Sequence, residues 1–195
     1  FTGGADGGFP FSTLLRAPNG DLYGTTVFGG VYNQGTVFKI SASGVETVLH
    51  SFSGMPDGAQ PEGALIFDGK GNLVGTTTTG GASNNGAVFR LTPAGQEIVL
   101  YSFQGGTDGS VPGAGVNIDG HGNLYGTTFL GGSSAVGTVF VLTSSGRERV
   151  LHSFKGGTDG ASPASALVRD SKGILYGTTN AGGASDLGTV FRVVP

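Results

Sequence analysis

Four aspartates, Asp6, Asp57, Asp108 and Asp159, stand 51 residues apart, each followed by Gly. Carboxylates at a fixed interval are raw material for hard-cation sites, so calcium is the one cofactor these positions could hold. Each lies alone in its own Gly-rich stretch, however, and one carboxylate per loop makes a weak site. The simpler expectation is an Asx turn that fixes a crossover, with no cofactor at all. His50 and His152 occupy equivalent places in the period, but Tyr101 fills the place between them and His121 falls outside the series. That exchange of His for Tyr argues against shared metal ligation or catalysis. A chain without Cys has no disulfide, no thiolate metal site and no Cys nucleophile. No Gly-x-Ser-x-Gly elbow, His-Glu-x-x-His helix or phosphate loop occurs. No acid and base converge at a spacing suited to glycoside cleavage, so an enzyme is not expected.

Charge and composition narrow the partners. Ten Lys plus Arg against thirteen Asp plus Glu, a net charge of -3, leave no basic stripe for nucleic acid or an anionic membrane surface. No apolar run approaches the ~20 residues of a membrane span. Forty Gly with 12% charged and 37% hydrophobic residues describe a turn-dense folded chain, not a disordered one. A start at Phe1 without Met or a signal-like segment is expected of a processed, exported piece.

The elements that must carry these residues follow from the period. "LYGTT" at 22–26 returns as "LVGTT" at 73–77 and as "LYGTT" at 124–128 and 175–179. Phe1, Phe52, Phe103 and Phe154, Pro10, Pro61, Pro112 and Pro163, and Phe38, Phe89, Phe140 and Phe191 keep the same interval. The chain is one domain, 1–195, of repeats at about 1–51, 52–102, 103–153 and 154–195, since one such unit cannot bury its apolar face alone. In the second repeat, "GALIFD", "NLVGTTTT", "GAVFRLT" and "EIVLYSF" are short runs rich in β-branched and aromatic residues between glycine turns. They read as a four-stranded antiparallel meander, and no 3.6-residue period supports a helix. Four meanders set radially make an all-β, four-bladed β-propeller; a β-solenoid is the competing architecture.

Four finer expectations attach to that fold. The first strands, Leu14–Arg16, Leu65–Phe67, Val116–Ile118 and Leu167–Arg169, should lie nearest the axis. Four-residue turns "SASG" and "TPAG" would set Lys39 opposite Glu46 and Arg90 opposite Glu97, with Val141 opposite Glu148. The Gly of "YGTT" should remove a side chain where neighbouring sheets approach, while its Thr pair supplies β-branched surface. Asp68, Asp119 and Asp170, replaced by Ala17 in the first copy, read as hairpin-turn residues.

The pattern "GNLYGTT..GG....GTVF.L...G.E.VLHSF.GG.DG" spans the whole chain and resembles the GloVer tandem repeat of bacterial exported proteins. Its "D..GNLY" portion is more distantly similar to the NHL-type propeller repeat. The resemblance implies export and surface display within a longer protein, and it carries no chemistry to transfer.

Variation concentrates in the loops between second and third strands, "VFGGVYNQG", "TTGGASNNG", "FLGGSSAVG" and "NAGGASDLG". Tyr32, Asn33, Asn84, Asn85, Ser134 and Asp186 should therefore ring one mouth beside the four Asp residues, a shallow polar surface for glycan or protein contacts. The expected function is a non-enzymatic, secreted or surface-displayed structural and interaction module. A lectin-like carbohydrate binder is the alternative, and a polysaccharide-active enzyme comes third. The last repeat stops after its third strand, which exposes Thr189, Val190, Phe191, Arg192, Val193 and Val194 as an open edge. Ring closure would bring Phe1 beside that blade. The edge is expected to be completed by residues outside this chain or by a second copy, giving a dimer or head-to-tail polymer through strand addition.

Overall fold

Gly-rich turns cut each repeat into runs too short for anything but strands, and the runs pair in chain order. The computed structural model describes residues 1–195 as a four-bladed β-propeller of antiparallel sheets. The first blade holds β1 (Gly8–Pro10), β2 (Leu15–Arg16), β3 (Leu22–Phe28), β4 (Thr36–Ile40) and β5 (Glu46–Ser51). The second holds β6 (Ile66–Phe67), β7 (Leu73–Thr77), β8 (Ala87–Leu91) and β9 (Glu97–Ser102). The third holds β10 (Asn117–Ile118), β11 (Leu124–Thr128), β12 (Thr138–Leu142) and β13 (Glu148–Ser153). The fourth holds β14 (Ala161–Pro163), β15 (Val168–Arg169), β16 (Leu175–Ala181) and β17 (Thr189–Val193), with β17 as its outer edge.

The inner strand differs from expectation. It is split: β1 and β2 both pair with β3, and β14 and β15 both pair with β16. Isolated bridges Ala59–Thr79 and Ser110–Leu130 repeat the arrangement in the middle blades. The periodic Pro has no N–H to continue a ladder, so the chain leaves the sheet after it and returns for two residues.

The charge pairing also differs by one residue. Lys39 faces Thr47, Arg90 faces Ile98 and Val141 faces Arg149, while Glu46, Glu97 and Glu148 face Ile40, Leu91 and Leu142. The connection is longer than four residues because the Ser41 N–H bonds to the Val45 carbonyl at 2.9 Å, and a bulge at Val37/Phe38 absorbs the slip. Lys39 instead lies 4.0 Å from Asp21, and Arg90 Nε 3.3 Å from Asp68.

The recurring pentapeptide works within the blade. A Cβ on Gly126 would stand 2.6 Å from Cζ of Phe140, its own cross-strand partner, so the glycine makes room for a ring of the same sheet, not for an approaching neighbour sheet. The first Thr reaches the next blade: Thr76 Oγ1 donates to the Ala114 carbonyl at 2.9 Å. The second bonds across the sheet, as in Thr128–Thr138 at 2.8 Å, beneath the glycine that follows the periodic Asp.

Blades join through a wedge of rings. Phe52 ends the first blade and meets Phe89 of the second edge-on at 5.0 Å; Phe103 meets Phe140 at 5.1 Å, and Phe154 meets Phe191 at 5.0 Å. Each of three buried apolar clusters spans one of these seams. A backbone bond accompanies each seam: Gln60, Val111 and Ser162 donate to Gln34, Asn85 and Val136 at 2.8, 3.0 and 2.7 Å.

Between the fourth and first blades neither the buried cluster nor the backbone bond is present. Phe9, at the place of Gln60, makes no such bond. Leu14 is 46% exposed, whereas its equivalents Leu65, Val116 and Leu167 are at 3 to 4%. Thr178 is exposed, whereas Thr25, Thr76 and Thr127 are at 1%. Of the wedge only the ring pair remains, Phe1 edge-on to Phe38 of the first blade at 4.8 Å, and β17 pairs with β16 alone. The ring closure expected to set Phe1 beside the fourth blade is therefore not seen.

Candidate functional site

The loops after β3, β7, β11 and β16 pack on the crossovers that carry the periodic Asp, as the Gly30, Gly132 and Gly183 N–H groups bond to the Gly4, Gly106 and Gly157 carbonyls. Both sets thus occupy one face. Asn33, Asn84 and Asp186 are turned into their own loops: at φ of 55 to 56° their side-chain oxygens accept from Gly29, Gly80 and Gly182 at 3.0, 3.0 and 2.7 Å. Asn and Asp tolerate that left-handed geometry best. Asn85 donates to the Ser83 carbonyl at 3.1 Å. Tyr32 and Ser134 are exposed and make no side-chain hydrogen bond, and they stand on the first and third blades.

The periodic Asp residues close their crossovers backwards. Asp57 accepts from the Ser53 N–H at 2.8 Å, Asp108 from Gln104 at 2.6 Å, Asp159 from Lys155 at 2.9 Å and Asp6 from Thr2 at 2.7 Å. The bond runs four residues back, not forward as in an Asx turn. The same carboxylates explain the His/Tyr exchange: His50 and His152 reach Asp57 and Asp159 through Nε2 at 3.3 and 3.1 Å, and Tyr101 donates to Asp108 at 2.7 Å. Either residue type can donate to a carboxylate from that position. The four Asp sit in separate crossovers, and no three His, Asp or Glu side chains converge as a metal site would need. Asp68, Asp119 and Asp170 form the Asx turns expected of them, accepting from the residues two and four onward.

Burial raises two further carboxyls. Glu97 is pushed up to about 7, first by desolvation and then by the charge of Asp57, with His50 opposing. Glu148 is likewise pushed up to about 7 by desolvation and by Asp108. One oxygen of each is buried without a hydrogen-bond partner. A carboxyl raised on folding stabilises the fold fully below its unfolded value near 4.5 and loses that contribution as pH climbs through about 7. Both groups are half-buried, so solvent screening reduces the contribution to ~1 kcal/mol each. The melting temperature is expected to rise by several degrees between pH 8 and pH 5, and thermal denaturation of the E97Q/E148Q double variant should show that rise lost.

At the axis, sequence reasoning missed a site. A cavity of about 420 Å³ opens among residues of all four blades, with Phe11, Glu62, Gly113 and Ala164 at one place in the period and Phe129 and Asn180 at another. The signal was present, because the residue after the periodic Pro reads Phe, Glu, Gly and Ala while the Pro itself does not change. Glu62 makes no hydrogen bond or ion pair, and burial raises its carboxyl above the ordinary range.

Known structures share this fold at low identity. Virginiamycin B lyase from Staphylococcus aureus superposes with a TM-score of 0.60 at 18% identity, over 95% of this chain and 56% of the lyase. A luciferin-regenerating enzyme gives 0.60 at 15% identity, over 94% and 60% of the two chains. A gluconolactonase-type protein gives 0.54 at 20% identity, over 92% and 56%. These neighbours are β-propellers, and the chain spans little more than half the length of each. At such identities the likeness concerns the fold alone. A search of curated proteins gives no match. No helix is long and apolar enough to cross a membrane. The Gloeobacter/Verrucomicrobia repeat model matches residues 1–117 and again 96–195, so it covers every blade, and the chain belongs to that family of tandem-repeat proteins.

Proposed function

We propose that the chain is a non-enzymatic repeat module, exported and displayed on the bacterial surface, that acts by binding copies of itself. One observation carries the reading: faces buried at three seams are bare at the fourth. Leu14 at 46% and Thr178 are exposed where their equivalents are covered, and Val190 is 81% exposed where Val37, Val88 and Val139 are at 0%. The chain itself supplies the complement. Each later blade seats on the one before it by the same wedge and backbone bond at three seams, with the threonine bond at two of them, so the first blade of one copy fits the fourth blade of another. The unpaired outer edge of β17 adds a strand template at the same place. A head-to-tail pair satisfies both bare faces of both copies and closes, giving a two-fold dimer. Family membership supports export.

Light scattering on the purified chain tests this. The expected mass is twice 19.4 kDa, and Leu14→Asp with Val190→Asp should return it to a monomer while far-ultraviolet dichroism stays unchanged. A wild-type monomer at 100-micromolar-scale concentration would sink the reading.

A further inference from the structure

The axial cavity is chemically lopsided. Val111, Pro163 and Ala164 supply aliphatic wall, and beside them stand phenyl, carboxyl and carboxamide groups from different blades: Phe11, Phe129, Glu62 and Asn180. Glu62 has no cation near it, since no Lys, Arg or His lines the cavity and no ion pair involves it. Its carboxyl lies beside Gly113, with Oε2 at ordinary contact distance, 3.5 Å, from where a Cβ would stand. A carboxylate partly removed from water and left unpaired is costly, and a ligand cation would relieve that cost.

We propose that this cavity binds a small organic cation, an alkylammonium group whose charge meets Glu62 and whose methyl or methylene surface rests against Phe11 and Phe129. Aromatic faces attract ammonium charge through the ring quadrupole, most strongly when desolvated. About 420 Å³ is at the small end of ligand pockets, which suits a head group. Asn180 offers an amide to a hydroxyl or carbonyl attached to the cation. The inference does not depend on self-association, because Phe11, Glu62, Phe129 and Asn180 line one cavity within a single chain.

Choline and its uncharged carbon isostere 3,3-dimethylbutan-1-ol are the probes, titrated calorimetrically into the wild-type chain and into Glu62→Gln and Phe129→Leu. Choline should bind at least tenfold more tightly than the isostere. Glu62→Gln should weaken choline at least tenfold, and Phe129→Leu about threefold or more, with melting temperatures within two degrees of wild type. Equal binding of the two probes, unchanged affinity in Glu62→Gln, or binding of maltotriose in place of choline would each overturn the proposal. Its failure leaves the dimer test untouched, since light scattering reads a different surface.

Discussion

Replacing Phe103 with Ala is expected to lower the melting temperature by about 10 °C or more, while the same change at Phe1 leaves it within about two degrees. The two residues hold the same place in the period. Phe103 is 0% exposed, sits edge-on to both Phe140 and Tyr101 at 5.1 and 5.2 Å, and belongs to the cluster that joins the second and third blades. Phe1 is 51% exposed and meets one ring, Phe38. Truncating a buried Phe costs ~3–5 kcal/mol, partly as lost burial and partly as the cavity left behind. In a chain of this length each kcal/mol moves the midpoint by ~2–4 °C. A stacked array is held by nearest-neighbour interfaces, so the loss falls on one seam and should also broaden the transition as the halves uncouple. Calorimetry of both variants decides. Equal shifts, or a shift below about three degrees in the Phe103 variant, would show that the wedge is not what joins the blades.

The architecture was legible because it is written four times. A strict 51-residue interval with glycine turns leaves little but short antiparallel strands, and Phe recurring at two fixed places already held the wedge, although nothing in one dimension said that Phe52 meets Phe89. Register was less legible. Lys39 and Glu46 look like a cross-strand pair until the loop Ser41–Val45 and the bulge at Val37/Phe38 shift the partner by one, and neither carries a distinctive residue type. Site residues were read least well, for a physical reason. Asn33, Asn84 and Asp186 read as variable polar tips, but left-handed backbone turns their side chains onto their own loops, so their polarity serves the turn. Glu62 stands at a place that reads Phe, Glu, Gly and Ala in the four repeats, a variation that becomes a site only when four blades bring position 11 of each repeat around one axis.

The second large effect concerns glycine at the seam. Gly86→Ala is expected to cost ~3 kcal/mol or more, whereas Gly44→Ala costs ~1–2 kcal/mol, although both positions are left-handed. The common part is conformational: φ is +90° at Gly86 and +85° at Gly44, where an L side chain crowds the backbone. The difference is room. Around Gly44 nothing lies within 4 Å of an added Cβ. At Gly86 that carbon would stand 2.4 Å from the Thr77 carbonyl oxygen and 2.5 Å from Cδ of Pro112, which opens the next blade. Neither is the flexible end of a side chain; the Thr77 clash lies within the second blade, and relief at Pro112 requires moving the third blade away from the second. That movement also threatens the Val111 to Asn85 bond at 3.0 Å. Gly188, the same place on the fourth blade, meets the Thr179 carbonyl at 2.4 Å but no proline, because no blade packs there. The order of destabilisation should therefore be Gly86, then Gly188, then Gly44, read as melting temperatures of the three Ala variants. If Gly188→Ala proves as damaging as Gly86→Ala in a monomeric preparation, the seam contact contributes nothing beyond the strained turn; if the gap closes when the chain is dimeric, the first blade of a partner has supplied the missing proline.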